Sequence, residues 1–182
     1  QSPIYLMLNK PRGLVTTVSD ERGRDTVYRC FDGASLHGAP LPWLAPVGRL
    51  DKASEGLLLF TNDPQWAARL TDPDTGPRKT YHVQIDRIPN ADQLAALCRG
   101  REVDGEWLSA VEAALLRAGE KNAWVEIVLD EGRNRQIRRL LGAFEIETLR
   151  LVRVAIGGLA LGKLPKGQWC ELDESGLRSL GI

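Results

Sequence analysis

Asp51 stands in Gly48-Arg49-Leu50-Asp51-Lys52-Ala53-Ser54-Glu55-Gly56, a polar, glycine-flanked loop that runs straight into the apolar stretch Leu57-Leu58-Leu59-Phe60. A carboxylate at the mouth of a buried strand is well placed for chemistry, because the strand sets its geometry and the loop admits a substrate. Two further groups can act with it. Tyr81 offers a flat ring for stacking on a base and a phenol that exchanges a proton. From Arg133 to Arg139 the chain carries four arginines and no acid. One of these beside Asp51, Arg135 or Arg138, would keep the carboxylate ionised through a charge-assisted hydrogen bond. Asp51 would then serve as nucleophile or base without metal or histidine. The residue types leave other readings open: Asp51 as a turn former, Tyr81 as a half-buried strand aromatic, and Asp51 with Glu55 as the carboxylate pair of a glycosidase.

The surrounding elements must hold these groups in place. Tyr5–Leu8 and Leu14–Val18 read as short strands joined by the turn Asn9-Lys10-Pro11-Arg12-Gly13. Residues 32–46, rich in glycine and proline, read as a surface excursion with Trp43 and Leu44 tucked in. Leu57–Thr61 is a continuous apolar strand, and Asp63 caps a helix with Pro64 at its first position. Lys79–Asp86 alternates as a strand, which puts Tyr81 on one face with Val83 and Ile85. A second helix runs from the Asn90/Gln93 capping box to Gly100. Val111–Leu116 and Trp124–Leu129 read as an antiparallel pair.

After Glu131, a spacing of ~100° per residue separates Ile137, Leu140 and Leu141 from Arg135, Arg138 and Arg139. This predicts a short helix that packs on the core and points its guanidinium groups outward. Thr148–Ile156 and Gln168–Leu172 read as strands, and a short helix near residues 174–180 follows. Hairpins outnumber strand-helix-strand crossovers, so the expected fold class is α+β. The expectation is a largely antiparallel mixed central sheet flanked by short helices, in a single domain over residues 1–182 with two lobes and a cleft between them.

At 182 residues, 43% hydrophobic and 26% charged, the chain can bury a sizeable core. No apolar stretch approaches the ~18 residues that span a bilayer, and the start lacks the pattern of a signal peptide. A cytoplasmic protein with no membrane partner is expected. Cys30, Cys98 and Cys170 are widely separated and only His37 and His82 are present, so neither a disulfide framework, a metal site nor a cofactor is expected. Formal net charge is zero, so polyanion binding must rest on local clusters such as Arg133–Arg139 and Lys10-Pro11-Arg12.

Four segments occur in order: Asn9-Lys10-Pro11, Gly48-Arg49-Leu50-Asp51 with Ser54-Glu55-Gly56-Leu57-Leu58, Lys79-Thr80-Tyr81-His82-Val83, and Glu131-Gly132-Arg133-Asn134-Arg135-Gln136-Ile137-Arg138-Arg139. Together they resemble the motifs of the RsuA-like family of RNA pseudouridine synthases, and Gly167-Gln168-Trp169 resembles its C-terminal strand. The resemblance implies the pseudouridine synthase fold and isomerisation of a specific uridine in ribosomal RNA without a cofactor. It implies that Asp51 is the catalytic aspartate, engaging the uridine while the N1–C1′ bond breaks, the uracil turns and C5 bonds to C1′. By the same resemblance Tyr81 stacks on the uracil and helps remove the C5 proton, and Arg138 pairs with Asp51. Ile137 and Leu140 line or support the pocket, and Arg49 fills the space left by the flipped base. Lys10, Arg133, Arg135 and Arg139 meet phosphates.

Two departures from the family pattern bear on the substrate. Many members carry an extra N-terminal RNA-binding module, whereas only eight residues precede Asn9 here; no separate N-terminal RNA-binding domain is expected, either because this branch lacks it or because a segment was removed. Asn134-Arg135 stands where several branches have Tyr-His, and Leu140 and Cys170 stand where Met and Arg are frequent. The Asn-Arg form most resembles the branch that acts on large-subunit ribosomal RNA without the module. The expected partner is therefore 23S rRNA, free or in an assembling large subunit, with no DNA partner and a monomeric protein.

Overall fold

The computed structural model describes residues 2–17, 22–133 and 135–182. The apolar run after Asp51 becomes β5 (Glu55–Thr61), buried along its whole length because both of its faces are covered. Leu57 and Leu59 pack towards Trp66 and Leu70, while Leu58 and Phe60 pack on the opposite face against Leu6, Leu8, Leu44 and Val27. Trp66 and Leu70 belong to α1 (Pro64–Thr71), whose first turn is capped by the Asp63 carboxylate, as the Asp-Pro pair predicts.

The remaining strands of the main sheet are β1 (Tyr5–Lys10), β4 (Ala45–Val47), β6 (Lys79–Ile85), β9 (Glu112–Ala118), β10 (Ala123–Leu129), β11 (Thr148–Ile156), β12 (Leu159–Ala160) and β13 (Trp169–Glu171). Their order is β13-β1-β5-β11-β6-β10-β9, with β4 on β5 and β12 on β11. The sheet is mixed and mostly antiparallel, as expected; among the described residues its parallel pairing is β5 with β11. Small antiparallel hairpins, β2 (Ser35–Leu36) with β3 (Ala39–Pro40) and β7 (Arg101–Val103) with β8 (Glu106–Leu108), lie outside it.

A second core forms on β6 and β10, where Tyr81, Val83, Ile85, Val125, Ile127 and Leu129 share a face. It is covered by α2 (Ala91–Arg99), with the predicted Asn90/Gln93 capping box, and by α3 (Gln136–Ala143). A last helix, α4 (Glu174–Ser179), follows β13. None of the described helices is long and apolar enough to cross a membrane.

The β5–β11 junction decides where the site can form. Gly56 lies opposite Arg153 with φ of +107°, and a Cβ there would come within 2.2 Å of the Arg153 carbonyl oxygen. Backbone rather than a movable side chain blocks that space, so only glycine fits. Gly56→Ala is expected to cost at least ~3 kcal/mol, from strain at that φ together with overpacking. Urea denaturation of the purified variant checks this; a loss below ~1 kcal/mol would show that the junction yields.

Several expectations need correction. Leu14–Val18 forms no strand within its described part: Val15 makes an isolated bridge to Thr26, and Val18 lies outside the described residues. Leu44 is buried, but Trp43 is 63% exposed rather than tucked in. The β7–β8 hairpin is an addition to the expected elements, turned at Asp104-Gly105, both at positive φ, a hairpin turn signal. Its strands are too short to show alternation.

Candidate active site

Asp51, Tyr81, Ile137 and Arg138, distant in sequence, line one cleft of about 800 Å3. The loop before β5 supplies Arg49, Asp51 and Ser54, β6 supplies Lys79 and Tyr81, α3 supplies Ile137 and Arg138, and β11 supplies Arg153. Tyr81 is 8% exposed, so its ring is anchored in the core beneath α3 while it borders the cleft. A flat ring held this way loses little freedom when a ligand packs on it.

The Asp51 carboxylate is paired with Arg135, at 3.4 Å from Nη1 to Oδ2. Arg138, expected to hold that carboxylate, instead donates from Nη2 to Ser54 Oγ at 3.4 Å. The cause is local backbone. Arg135 stops short of the helix at its N-cap, with φ 52° and ψ 35°, and this turn swings its side chain off the predicted polar stripe. Burial and the like charges of Arg135 and Arg12 push the Arg138 guanidinium below its ordinary pKa, while Asp51 opposes them. Its Nε is buried with no hydrogen-bond acceptor. Arg135 and Arg138 thus both act on one carboxylate, a surplus of positive charge that suits a phosphate or an electron-rich substrate.

Lys10 was expected at phosphate and does something else. Its residue surface is wholly buried, and its Nζ donates to the carbonyl oxygens of Ser54 (2.7 Å), Asp51 (3.0 Å), Pro11 (3.1 Å) and Lys52 (3.4 Å). No phosphate can reach it. The ammonium ties the Asp51 loop together from inside, with help from Thr16 Oγ1 donating to Leu50 O at 2.8 Å and Gly13 N donating to Lys52 O at 2.8 Å. Burial pushes Lys10 down to about 8, against the pull of Glu55 and Asp51.

The other expected site residues divide. Arg49 is exposed at the cleft. Arg133 also lines it, but its guanidinium is shared between Glu106 (2.6 Å) and Glu131 (3.3 Å). Arg139 does not line the cleft: it turns to the β7–β8 hairpin, donating to Glu106 Oε1 at 2.9 Å, which contradicts the outward stripe of guanidinium groups. Leu140 is 1% exposed within the core and supports α3 without bordering the cleft. Asn134 lies outside the described residues. Among the described residues no three His, Cys, Asp or Glu side chains gather as a metal site requires.

Glu55 is excluded as a second catalytic carboxylate. It is 1% exposed, does not line the cleft, and accepts from Arg150 (2.8 and 3.1 Å) while pairing with Lys166 (2.8 Å). Burial raises its pKa, but the hydrogen bonds from Arg150 and Lys166 outweigh that and hold it below the ordinary value. The glycosidase reading falls with it.

Arg138→Ala is expected to slow single turnover by ~10²-fold through loss of a cleft cation. Arg139→Ala should change it by less than ~3-fold, because Arg139 lies outside the cleft, paired with Glu106. Rapid-quench assays on both variants check this, and equal small effects would show that the Arg138 guanidinium does not act in the cleft.

Residues 4–143 match the RNA pseudouridylate synthase family. Ribosomal large subunit pseudouridine synthase E of Xanthomonas campestris pv. campestris is 40% identical, over 96% of this chain and 98% of its own. The enzyme of the same name from Vibrio parahaemolyticus is 36% identical over 95% of this chain and 75% of its own. A crystal structure of a pseudouridylate synthase superposes with a TM-score of 0.82 at 31% identity, covering 98% of this chain and 74% of that one.

Proposed function

Because the chain belongs to the RNA pseudouridylate synthase family, and so is an isomerase, we propose that it converts a specific uridine of 23S rRNA to pseudouridine with Asp51 as its catalytic group. The observation that carries this reading is the convergence of Asp51, Tyr81, Ile137 and Arg138 in a single cleft. Relatives named for the large ribosomal subunit support the choice of RNA.

The geometry supports a role for each residue. The uridine leaves its stack and enters the cleft, where Tyr81 and Ile137 sandwich or abut the base. Arg135 pairs with the Asp51 carboxylate and fixes its rotamer. Lys10 prevents the loop from yielding as the carboxylate engages C1′. Exposed Arg49 at the cleft is free to enter the gap left by the flipped base. Isomerisation conserves every atom of the nucleotide, so the protein has only to orient the base and manage charge and one proton.

The substrate class is tested by incubating the protein with 23S and 16S rRNA transcripts, then digesting them and measuring pseudouridine by mass spectrometry. Conversion confined to 23S transcript is the expected result. Conversion confined to 16S transcript would overturn the assignment of RNA.

A further inference from the structure

Arg153 was absent from the expected site, yet it forms part of the cleft wall. It lies on β11 directly opposite Tyr81 of β6, is 6% exposed, and anchors its Nε on the Leu57 carbonyl at 2.8 Å. Its Nη2 is buried with no acceptor. Lys79 lies two residues before Tyr81 on the same face of β6 and also lines the cleft. Among the described residues neither cation forms an ion pair.

Such an arrangement is unfavourable in the free protein. A buried donor without an acceptor lacks what water would supply, and two adjacent cations repel each other in a low dielectric. Burial and then Arg153 hold Lys79 below the ordinary lysine value, with Asp130 opposing. Buried side-chain orphans in the described structure are few, and two of them, Arg138 Nε and Arg153 Nη2, belong to cleft arginines. Unmet donors gathered at one cleft mark the place where an electron-rich ligand docks.

We propose that Arg153 and Lys79 form a cationic site that receives the uracil ring and stabilises the negative charge left on it when the N1–C1′ bond breaks. This rests on the uridine-isomerising reading given above. In that step an Asp51 oxygen bonds to C1′, and the C1′–N1 electron pair departs with the base. The charge of the carboxylate is thereby transferred to the uracil, spread over N1, O2 and O4. C5 then bonds to C1′, the carboxylate is released with its charge, the C5 proton passes to a base, and N1 takes up a proton, so the product ring is neutral and every atom of the nucleotide is kept. Charge travels from Asp51, held by Arg135, to a ring that needs a second set of cations for as long as it is detached. Arg153 and Lys79, cleft-lining cations without an ion pair and neighbours of Tyr81 in the sheet, are placed for that task.

The test compares Arg153→Gln and Lys79→Met with wild type on rRNA transcripts made with uridine or with 5-fluorouridine. Fluorine withdraws electrons and stabilises the departing base, so a variant deficient in charge stabilisation is rescued by it. Because fluorine replaces the C5 proton, turnover is read as loss of intact nucleoside after digestion. Arg153→Gln should lose ~10²-fold in single-turnover rate with uridine and at least ~5-fold less than that with 5-fluorouridine, at unchanged RNA affinity. Equal losses on both transcripts, or no loss, would overturn the proposal. Should Arg153→Gln fail to fold because its Leu57 anchor is gone, Lys79→Met, which breaks no bond in the structure, decides by the same criterion. Wild type that converts no uridine in any transcript would instead overturn the underlying reading of the cleft, and this proposal with it.

Discussion

Asp51→Asn is expected to abolish isomerisation while leaving RNA binding nearly intact. Asparagine keeps the size of the side chain but loses the charge that Arg135 now holds, and it is a poor nucleophile and a poor base. Single-turnover rate should fall at least ~10³-fold, the scale seen when the reacting group of a catalytic unit is removed. Affinity should stay within ~3-fold, because phosphate contacts supply most of the binding energy and salt dependence. Filter binding at two salt concentrations, paired with rapid-quench turnover, separates the two effects. An Asn variant with normal turnover would remove Asp51 from the mechanism.

The second large effect comes from a residue no substrate touches. Lys10→Met fills the same volume but leaves the carbonyls of Asp51 and Ser54 without their donor, at a stability loss of ~1–3 kcal/mol. Turnover should fall by ~10²-fold, since displacing a catalytic group by about 1 Å costs that much. The wild type carries a matching pH signature. Lys10 has a folded pKa of about 8, below its ordinary 10.5. Its linkage contribution to stability is therefore fully present above 10.5 and is lost as pH falls through about 8. Loop fixation runs the other way, because the ammonium that ties the carbonyls loses its proton as pH rises through about 8. Turnover should decline on that alkaline limb while this group's share of stability grows, and the Met variant should lack the limb. A wild-type profile flat from pH 7 to ~9.5 would refute the tether.

How much of this is legible in the sequence differs from residue to residue. Asp51 stands out because its polar, glycine-flanked loop precedes four consecutive apolar residues, and only a doubly covered strand explains that run. The apolar face of α3 is equally plain from its period, with Ile137, Leu140 and Leu141 all buried. Its polar face is not, because one left-handed residue at the N-cap redirects Arg135 and the acidic β8 captures Arg139. Both effects lie outside helical periodicity. Lys10 reads as a turn cation beside Pro11, since nothing local reveals carbonyls more than forty residues away. Arg153 did leave a signal: it follows Leu151 by two on an alternating strand, so a charge occupies an inward position. A buried cation that the strand pattern does not call for marks function.

Mapping pseudouridine across total RNA is the decisive test of whether Asp51 drives isomerisation of a 23S uridine. Three strains are needed: one with the wild-type protein, one lacking it, and one carrying Asp51→Asn. One 23S position should read as pseudouridine with wild type and as uridine in the other two. Identical maps in all three strains, or a modification that survives in the Asp51→Asn strain, would contradict it.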